Sequence, residues 1–358
     1  MKNYRPTWAE INLDAIINNL EVAKKMAPQK TIIPVIKANG YGHGAIKIMK
    51  FLYEKGYTYF SVSTLEEALE LRKINQQIDL LMMGPILVSD LEVASKNHIE
   101  VTLYDEDISK QVISSKIPLT CHLKIDTGMH RYGITDDKTI ISLVEELQNQ
   151  SHIDLKGVYT HFATADNDET FYNIQKDKYY QMIRNLKTKP RMIHISNSSS
   201  TLNYEKDIDF TTHVRYGISL YGLSLDSKNQ GLIPAMRLKT KIVSLKSLKK
   251  GECVGYSQTY CAIEDEIIGI LPIGYADGFL RRNKHGDIEI KNKRYQLVGN
   301  ICMDACFAKV DTSIKVGDVV TLFGGLVSID EVAKRNKTIN YEIVTSISYR
   351  VPKKYINE

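Results

Sequence analysis

Lys37 closes a β-branched run and is followed by Gly40, Gly42 and Gly44 in the segment VIKANGYGHG. An amine at the end of a buried strand, beside backbone free to turn tightly, can lose its proton and form a Schiff base with an aldehyde. Tyr41 can reach the same pocket. A lysine snorkelling from a strand end above an ordinary turn would leave the same residues, so Lys37 has to be read with its companions. His161 in GVYTHFATAD and Arg215 in HVRYGISLYG also end strand-like runs. A histidine there is more often a satisfied core residue. Arg215, followed by Gly217, joins a fixed cation to backbone open to an anion; the competing reading is an arginine bound to backbone carbonyls. An arginine beside a pyridine nitrogen cannot take its proton and does not donate its own near neutrality. A ring held that way stays poorly protonated, which suits simple proton exchange and disfavours transamination. Asn197, Ser198, Ser199 and Ser200 follow another strand and open a helix, where hydroxyls and N–H groups suit a phosphate. An ordinary helix cap uses the same residue types.

These residues need a frame that brings strand ends together. Strand-like runs occur at Thr31–Ile36, Tyr59–Ser63, Asp79–Met83, Glu100–Tyr104, Thr120–Ile125, Gly157–His161, Met192–Ser196 and His213–Leu220. Most are separated by helical stretches such as Thr64–Lys73, Thr139–Leu147 and Phe171–Leu186, and a first helix capped by Asp14 runs to about Met26. Eight βα units without a G-x-G-x-x-G after the first strand favour a closed (β/α)8 barrel over a doubly wound open sheet. At the C-terminal rim of such a barrel the strand ends present Lys37, Ser63, Lys124 with Asp126, His161, Asn197 with Ser198, and Arg215 with Gly217. No HExxH motif, phosphate-binding P-loop or Ser-centred elbow accompanies them. A positive rim without metal ligands suits an anionic, phosphate-bearing ligand.

After about Pro234 helical periodicity fades. Short strand signals recur at Leu238–Leu245, Ile267–Ile270, Asp287–Ile290, Gln296–Val298, Ala305–Val310 and Val319–Phe323, with one helix near Ser328–Lys334. The expectation is an α/β barrel over residues 1–234, with residues 1–13 available to pair elsewhere, and a mainly β domain over 235–358. A length of 358 residues fits two domains. A net charge of +5 with the cations spread along the chain does not imply nucleic acid. No stretch approaches the apolar length of a membrane span and the N-terminus has no signal-like core, so a cytoplasmic protein is expected. Five cysteines, an odd count without C-x-x-C spacing, speak against a disulfide framework or zinc ribbon. Cys302 and Cys306, with Asp304 between them, read as thiols that fill space rather than a metal site.

Taken in order, VIKANGYGHG, KIDTGMHRYG, YTHFATAD, HISNSSST, VRYGISLYG, VGYSQTY, LPIGYADG, NICMD and ISYRVP resemble the motifs of alanine racemases. The resemblance runs from TWAEINLDAIINNL to the final VPKKY. It implies a homodimeric pyridoxal 5′-phosphate enzyme that interconverts L- and D-alanine, supplying D-alanine for peptidoglycan in a bacterial host. By that resemblance Lys37 carries the cofactor and is one catalytic base, and Tyr256 is the other, donated by the partner subunit. Racemisation needs opposed bases, one to remove the α-proton and one to return a proton to the other face. Arg215 matches the partner of the pyridine nitrogen, with His161 beneath the ring. Tyr41, Ser198, Gly217, Ile218 and Tyr349 match phosphate contacts. Arg131 matches the residue facing the cofactor's phenolic oxygen and the substrate carboxylate. Tyr275, Met303 and Asp304 match the substrate entrance. Lys124 matches a lysine that many members carry as a carbamate: crowded by Arg131, its amine loses a proton more readily and can add carbon dioxide. The chain departs from the pattern at His130, where many members carry glycine, and with Tyr132 this crowds Arg131. A serine or broad-specificity racemase is the nearest alternative. A decarboxylase of the same plan is disfavoured by VGYSQTY and GYADG, and a non-catalytic cofactor carrier by the long β domain with Tyr256.

Overall fold

The computed structural model describes residues 4–225 and 231–357. Its first strand, β1 (Trp8–Asn12), stands apart from the eight that follow. Those are β2 (Thr31–Pro34), β3 (Tyr59–Val62), β4 (Asp79–Met82), β5 (Val101–Leu103), β6 (Leu119–Lys124), β7 (Ile153–Tyr159), β8 (Met192–His194) and β9 (His213–Tyr216). All pair in parallel: β2 with β9, then β9-β8-β7-β6-β5, and β3 with β4. Parallel bridges at Val35–Ser61 and Leu81–Glu100 join the two groups, closing an eight-stranded barrel. The expected runs overshoot mainly at their C-terminal ends, because there the chain leaves the ladder to form the rim.

Helices cover the outside. The first, Leu13–Met26, is capped by Asn12, whose Oδ1 accepts from Ala15 N, not by Asp14, which lies inside the first turn. Thr64 and Glu67 form a reciprocal capping box at the start of Leu65–Ile74. Asp136 and Asp168 cap Asp137–Gln148 and Glu169–Asn185. Their apolar stripes pack on the outward strand faces in one buried cluster running from Ala9 to Val351.

The second region is a nine-stranded sheet. Its strands are β10 (Met236–Lys241), β11 (Ser244–Leu248), β14 (Glu266–Leu271), β15 (Asp287–Ile290), β16 (Lys293–Val298), β17 (Cys306–Val310), β18 (Val319–Phe323), β19 (Lys353–Ile356) and β1, in the order β11-β14-β17-β16-β15-β18-β10-β1-β19. The run read as Leu238–Leu245 breaks at Ile242, because β10 pairs with β18 and β1 whereas β11 pairs with β14. β1 runs antiparallel to β10 and parallel to β19, so it is an interior strand of this sheet, one in from the edge. A small ribbon, β12 (Cys253–Val254) with β13 (Tyr260–Cys261), stands beside it. Cys253 and Cys261 face each other across that ribbon and are joined by a disulfide, which the residue spacing had not suggested. Cys121, Cys302 and Cys306 are free.

Candidate active site

Past β2 the chain enters a turn over Lys37–Tyr41 in which Ala38, Asn39, Gly40 and Tyr41 all have positive φ. Two of those four are neither glycine nor asparagine, so the turn has to be held from outside. Glu67 does this: one carboxylate oxygen accepts from Ala38 N at 2.6 Å and the other from Ser63 N at 2.8 Å. The turn points Lys37 into a cavity of about 290 Å³ formed with Tyr41, Arg131, His161, Ser198 and Arg215. A second cavity of about 190 Å³ shares Lys37, Arg131 and His161 and adds Lys124. Burial, then the Arg131 cation, holds the Lys37 amine below its usual range, with Glu67 partly opposing and Arg215 adding a little. That is the direction a nucleophilic amine needs.

At one end of the larger cavity Ser198 Oγ accepts from Gly217 N at 3.0 Å and Ser219 N at 3.3 Å. A Cβ at residue 217 would lie 2.7 Å from the Tyr41 hydroxyl, so glycine keeps that corner open. Ile218 follows on a short 3-10 turn and also lines the cavity. Asn197 caps the helix Ser198–Asn203 and reaches Phe162 O. Hydroxyls, backbone N–H groups and a side-chain-free corner make a cradle for phosphate.

At the other end Arg215 is 2% exposed. Its Nη1 meets His194 Nδ1 at 2.7 Å, and Nη2 donates to Thr160 O, Ile195 O and His161 Nδ1. Arg215 Nε is buried and has no partner among the described residues. Burial and then the Arg215 cation hold the His161 imidazole well below its usual range, so it is neutral and accepts from the arginine.

Lys124 is buried, donates to Ile125 O and sits 5.3 Å over the Tyr159 ring. Burial, then Arg215, pushes its amine down to about 7. Asp126 is occupied with the Gly128 and His130 N–H groups. His130 takes φ 54°, the left-handed conformation that explains glycine as the common residue there.

The remaining candidates lie elsewhere. Tyr256, on a turn inside the β12–β13 ribbon, is 72% exposed; Tyr275 and Met303 are 41% and 52% exposed. Their loops are laced together, with Tyr275 N bonded to Cys302 O, Ala276 N to Met303 O, and Asn300 Nδ2 to Tyr256 O. Asp304 is ion-paired with Arg350. None of the four lines either cavity. Tyr349 is 95% exposed and also does not line them. Tyr341, from the helix Asn340–Thr345, does line the larger cavity, and its ring meets Tyr41 edge-on at 6.2 Å. Tyr341 and Tyr349 lie eight positions apart in INYEIVTSISYR, and Tyr349, like Tyr256, stands apart from the cavities of its own protomer.

Two family models divide the chain between them, the alanine racemase N-terminal domain over residues 11–225 and the C-terminal domain over 235–355. The chain belongs to the alanine racemase family. The alanine racemase of Geobacillus stearothermophilus is 38% identical over 364 residues, 98% of this chain and 93% of that protein. The alanine racemase structure from Clostridium difficile 630 matches with a TM-score of 0.94 at 36% identity, covering 99% of this chain and 97% of that one. The crystal structure of the Bacillus anthracis alanine racemase with bound L-Ala-P matches at 0.92 and 33%, covering 100% and 97%. Alanine racemases depend on pyridoxal 5′-phosphate, and the cavity fits it. Lys37 supplies an amine for the aldehyde, the Ser198–Gly217 corner supplies phosphate donors, and the orphaned Nε–H of Arg215 is a donor for the ring nitrogen.

Proposed function

We propose that this protein racemises alanine with two bases, Lys37 and Tyr256 of the partner subunit, acting on opposite faces of the substrate. The observation carrying this reading is the separation of the two groups. Lys37 is turned into the cavity, whereas Tyr256 is 72% exposed on its own protomer, on a laced loop cluster lining neither cavity. A second copy of the chain brings the missing face, which makes dimerisation a condition of activity. Pyridoxal phosphate, when bound, supplies an electron sink that makes the substrate α-proton acidic. The Lys37 amine, with its lowered proton affinity, takes or returns that proton on one face. The tyrosine hydroxyl does so on the other. Arg131 holds the substrate carboxylate, Arg215 keeps the cofactor ring unprotonated, and neutral His161 supports it. Tyr41, Ser198, Gly217, Ile218 and Tyr349 hold the phosphate, Tyr341 lines the cavity beside Tyr41, and Asn197 fixes the helix that carries Ser198. Tyr275, Met303 and Asp304 shape the entrance to the neighbouring site. Lys124, whose amine loses its proton from about pH 7 upward, is carbamylated and so turns a cation beside Arg131 into an anion that holds it.

The same reading divides the chain near Pro234 into a cofactor-binding barrel and a β domain. It places the enzyme in the cytoplasm, supplying D-alanine for peptidoglycan in a bacterial host; among the described residues no helix is long and apolar enough to cross a membrane. The test is complementation. Lys37→Ala and Tyr256→Phe homodimers should each be inactive, and mixed dimers should regain activity at one of their two sites. Heterodimers that form yet stay inactive defeat the shared site.

A further inference from the structure

A file of hydrogen-bonded side chains runs down the barrel interior from Arg215 toward the opposite rim. Arg215 Nη1 meets His194 Nδ1 at 2.7 Å, His194 Nε2 meets His122 Nδ1 at 3.1 Å, and His122 Nε2 meets Glu100 Oε2 at 3.0 Å. Glu100, His122, His194 and Arg215 are 5%, 0%, 0% and 2% exposed, so no solvent intervenes along the file.

Both ends of the file have a fixed polarity. A guanidinium only donates and a carboxylate only accepts. Arg215 therefore gives an N–H to His194 Nδ1, which leaves the His194 proton on Nε2. That proton points at His122 Nδ1, so the His122 proton is also on Nε2 and points at Glu100. One tautomer is allowed at each ring, and each ring is neutral. Burial, then the Arg215 cation, holds His194 well below its usual range; burial lowers His122 as well, against the pull of Glu100. The reversed tautomers would set an N–H of His194 against an N–H of Arg215.

The surroundings hold this arrangement in place. Tyr59 donates to Glu100 Oε2 and Lys156 to Oε1; His122, then Lys156, keep the carboxylate at about 2 despite its burial. Lys156 reaches Glu100 where the β6–β7 register slips, Cys121 facing Leu155 while His122 faces Gly157. A Cβ at Gly157 would lie 2.4 Å from His122 Nδ1, so the glycine leaves room for the His122–His194 bond. Tyr159 stacks on His194 with ring centroids 4.8 Å apart, and its hydroxyl is held by Thr102. His213, edge-on to Tyr59, and Lys124 also face His194, while Tyr179, Arg131 and Glu205 face Arg215; His213 is itself kept neutral chiefly by burial.

We propose that Glu100 and His122 are positioning residues for racemisation: through the tautomer of His194 they fix the Arg215 guanidinium so that its unpartnered Nε–H is left for the cofactor ring nitrogen. The proposal rests on the reading of Arg215 given above. Its reach is long, since Glu100 lies before β5 and touches nothing in either cavity.

The experiment uses full-length enzyme with isotopically labelled histidine, observed by ¹⁵N NMR in the apo form, and by kinetics in the loaded form. Glu100→Gln is isosteric, but an amide can donate as well as accept, so it opens both directions of the file. Wild-type apoenzyme should show His194 as a single Nε2–H tautomer from about pH 6 to 9. Glu100→Gln should show a mixture. The loaded variant should lose about tenfold in kcat with KM for alanine within about twofold, and transaminate about tenfold more often per turnover. Glu100→Asp, which keeps an acceptor-only end, should restore the single tautomer. His122→Phe cuts the file at a ring-sized residue and should also release the His194 tautomer, which covers the case in which Glu100→Gln fails to fold. A single Nε2–H tautomer at His194 in the folded variants, or a mixture with unchanged kcat and transamination frequency, overturns the proposal. The apoenzyme spectra are read without turnover. A wild type that fails to racemise alanine would therefore refute the functional reading while leaving the tautomer result to stand separately.

Discussion

Replacing Lys124 by methionine should change how the stability of the apoenzyme depends on pH. Lys124 is 6% exposed and faces the Arg215 and Arg131 cations, and its amine is pushed down to about 7. In the unfolded chain it titrates near an ordinary lysine value of about 10.4. Below about pH 7 both states hold the proton, and the folded protein bears the full cost of a buried cation among cations. Between about 7 and 10 the unfolded chain binds a proton that the folded one lacks, so stability rises with pH by up to about 1.4 kcal/mol per unit. Above that range neither state is charged and the cost is gone. Methionine fills nearly the same volume and carries no charge, so the variant lacks this rise. From pH 7 to 9 the wild type should gain about 2 kcal/mol relative to Lys124→Met. Lys37 shifts in the same direction but is common to both proteins and cancels. The assay is urea unfolding in carbon-dioxide-free buffer at fixed protein concentration, with bicarbonate then added near pH 8. Bicarbonate should stabilise the wild type alone, because a carbamate turns the repulsive pair into an attractive one. Stability profiles that stay parallel within about 0.5 kcal/mol would refute the buried-cation argument. Equal responses to bicarbonate would refute the carbamate.

Three further outcomes follow from the site. Gly217→Ala puts a methyl group 2.7 Å from the Tyr41 hydroxyl and should raise the Kd for pyridoxal phosphate about ten- to hundredfold in a fluorescence titration; an unchanged Kd means the corner does not hold the phosphate. Borohydride reduction of the loaded enzyme followed by peptide mapping should find the pyridoxyl label on Lys37, and a label on another lysine would reassign the site. Alanine should exceed serine in kcat/KM by about 10²-fold, since a small pocket rejects one added hydroxyl only weakly. Equal efficiency would make this a broader racemase.

The barrel strands were legible because their outward faces are apolar and their ends carry chemistry. Lys37, His161, Ser198 and Arg215 were therefore found as strand-end residues. The file beneath them was written in the same strands at a spacing of two: Glu100 and Thr102, His122 and Lys124, Tyr159 and His161, His194, then Arg215 and Gly217. Polar residues at alternate positions of otherwise apolar strands mark an inward face filled by hydrogen bonding, and reading only the last residue of each strand passes over it. Glu67 escaped for another reason, since a capping-box glutamate and an anchor for two N–H groups of neighbouring turns look the same in a sequence. The β12–β13 ribbon and β19 were too short to carry a periodic signal. Tyr256 is exposed on its own protomer, and no local pattern encodes what it faces.

β1 has a consequence for synthesis of the chain. It leaves the ribosome well before its neighbours β10 and β19; Asn12 and Asn357, which share a hydrogen bond beside the β1–β19 pair, are 345 residues apart. The barrel strands can close as soon as β9 has emerged, whereas β1 has to wait with both its edges unpaired. A strand with open edges and the buried residues Trp8, Ala9 and Ile11 is a site for wrong pairing with another nascent chain. Translation that stalls between β10 and β19 would prolong that state, so yield on overexpression should depend on how quickly the residues from β10 to β19 are made.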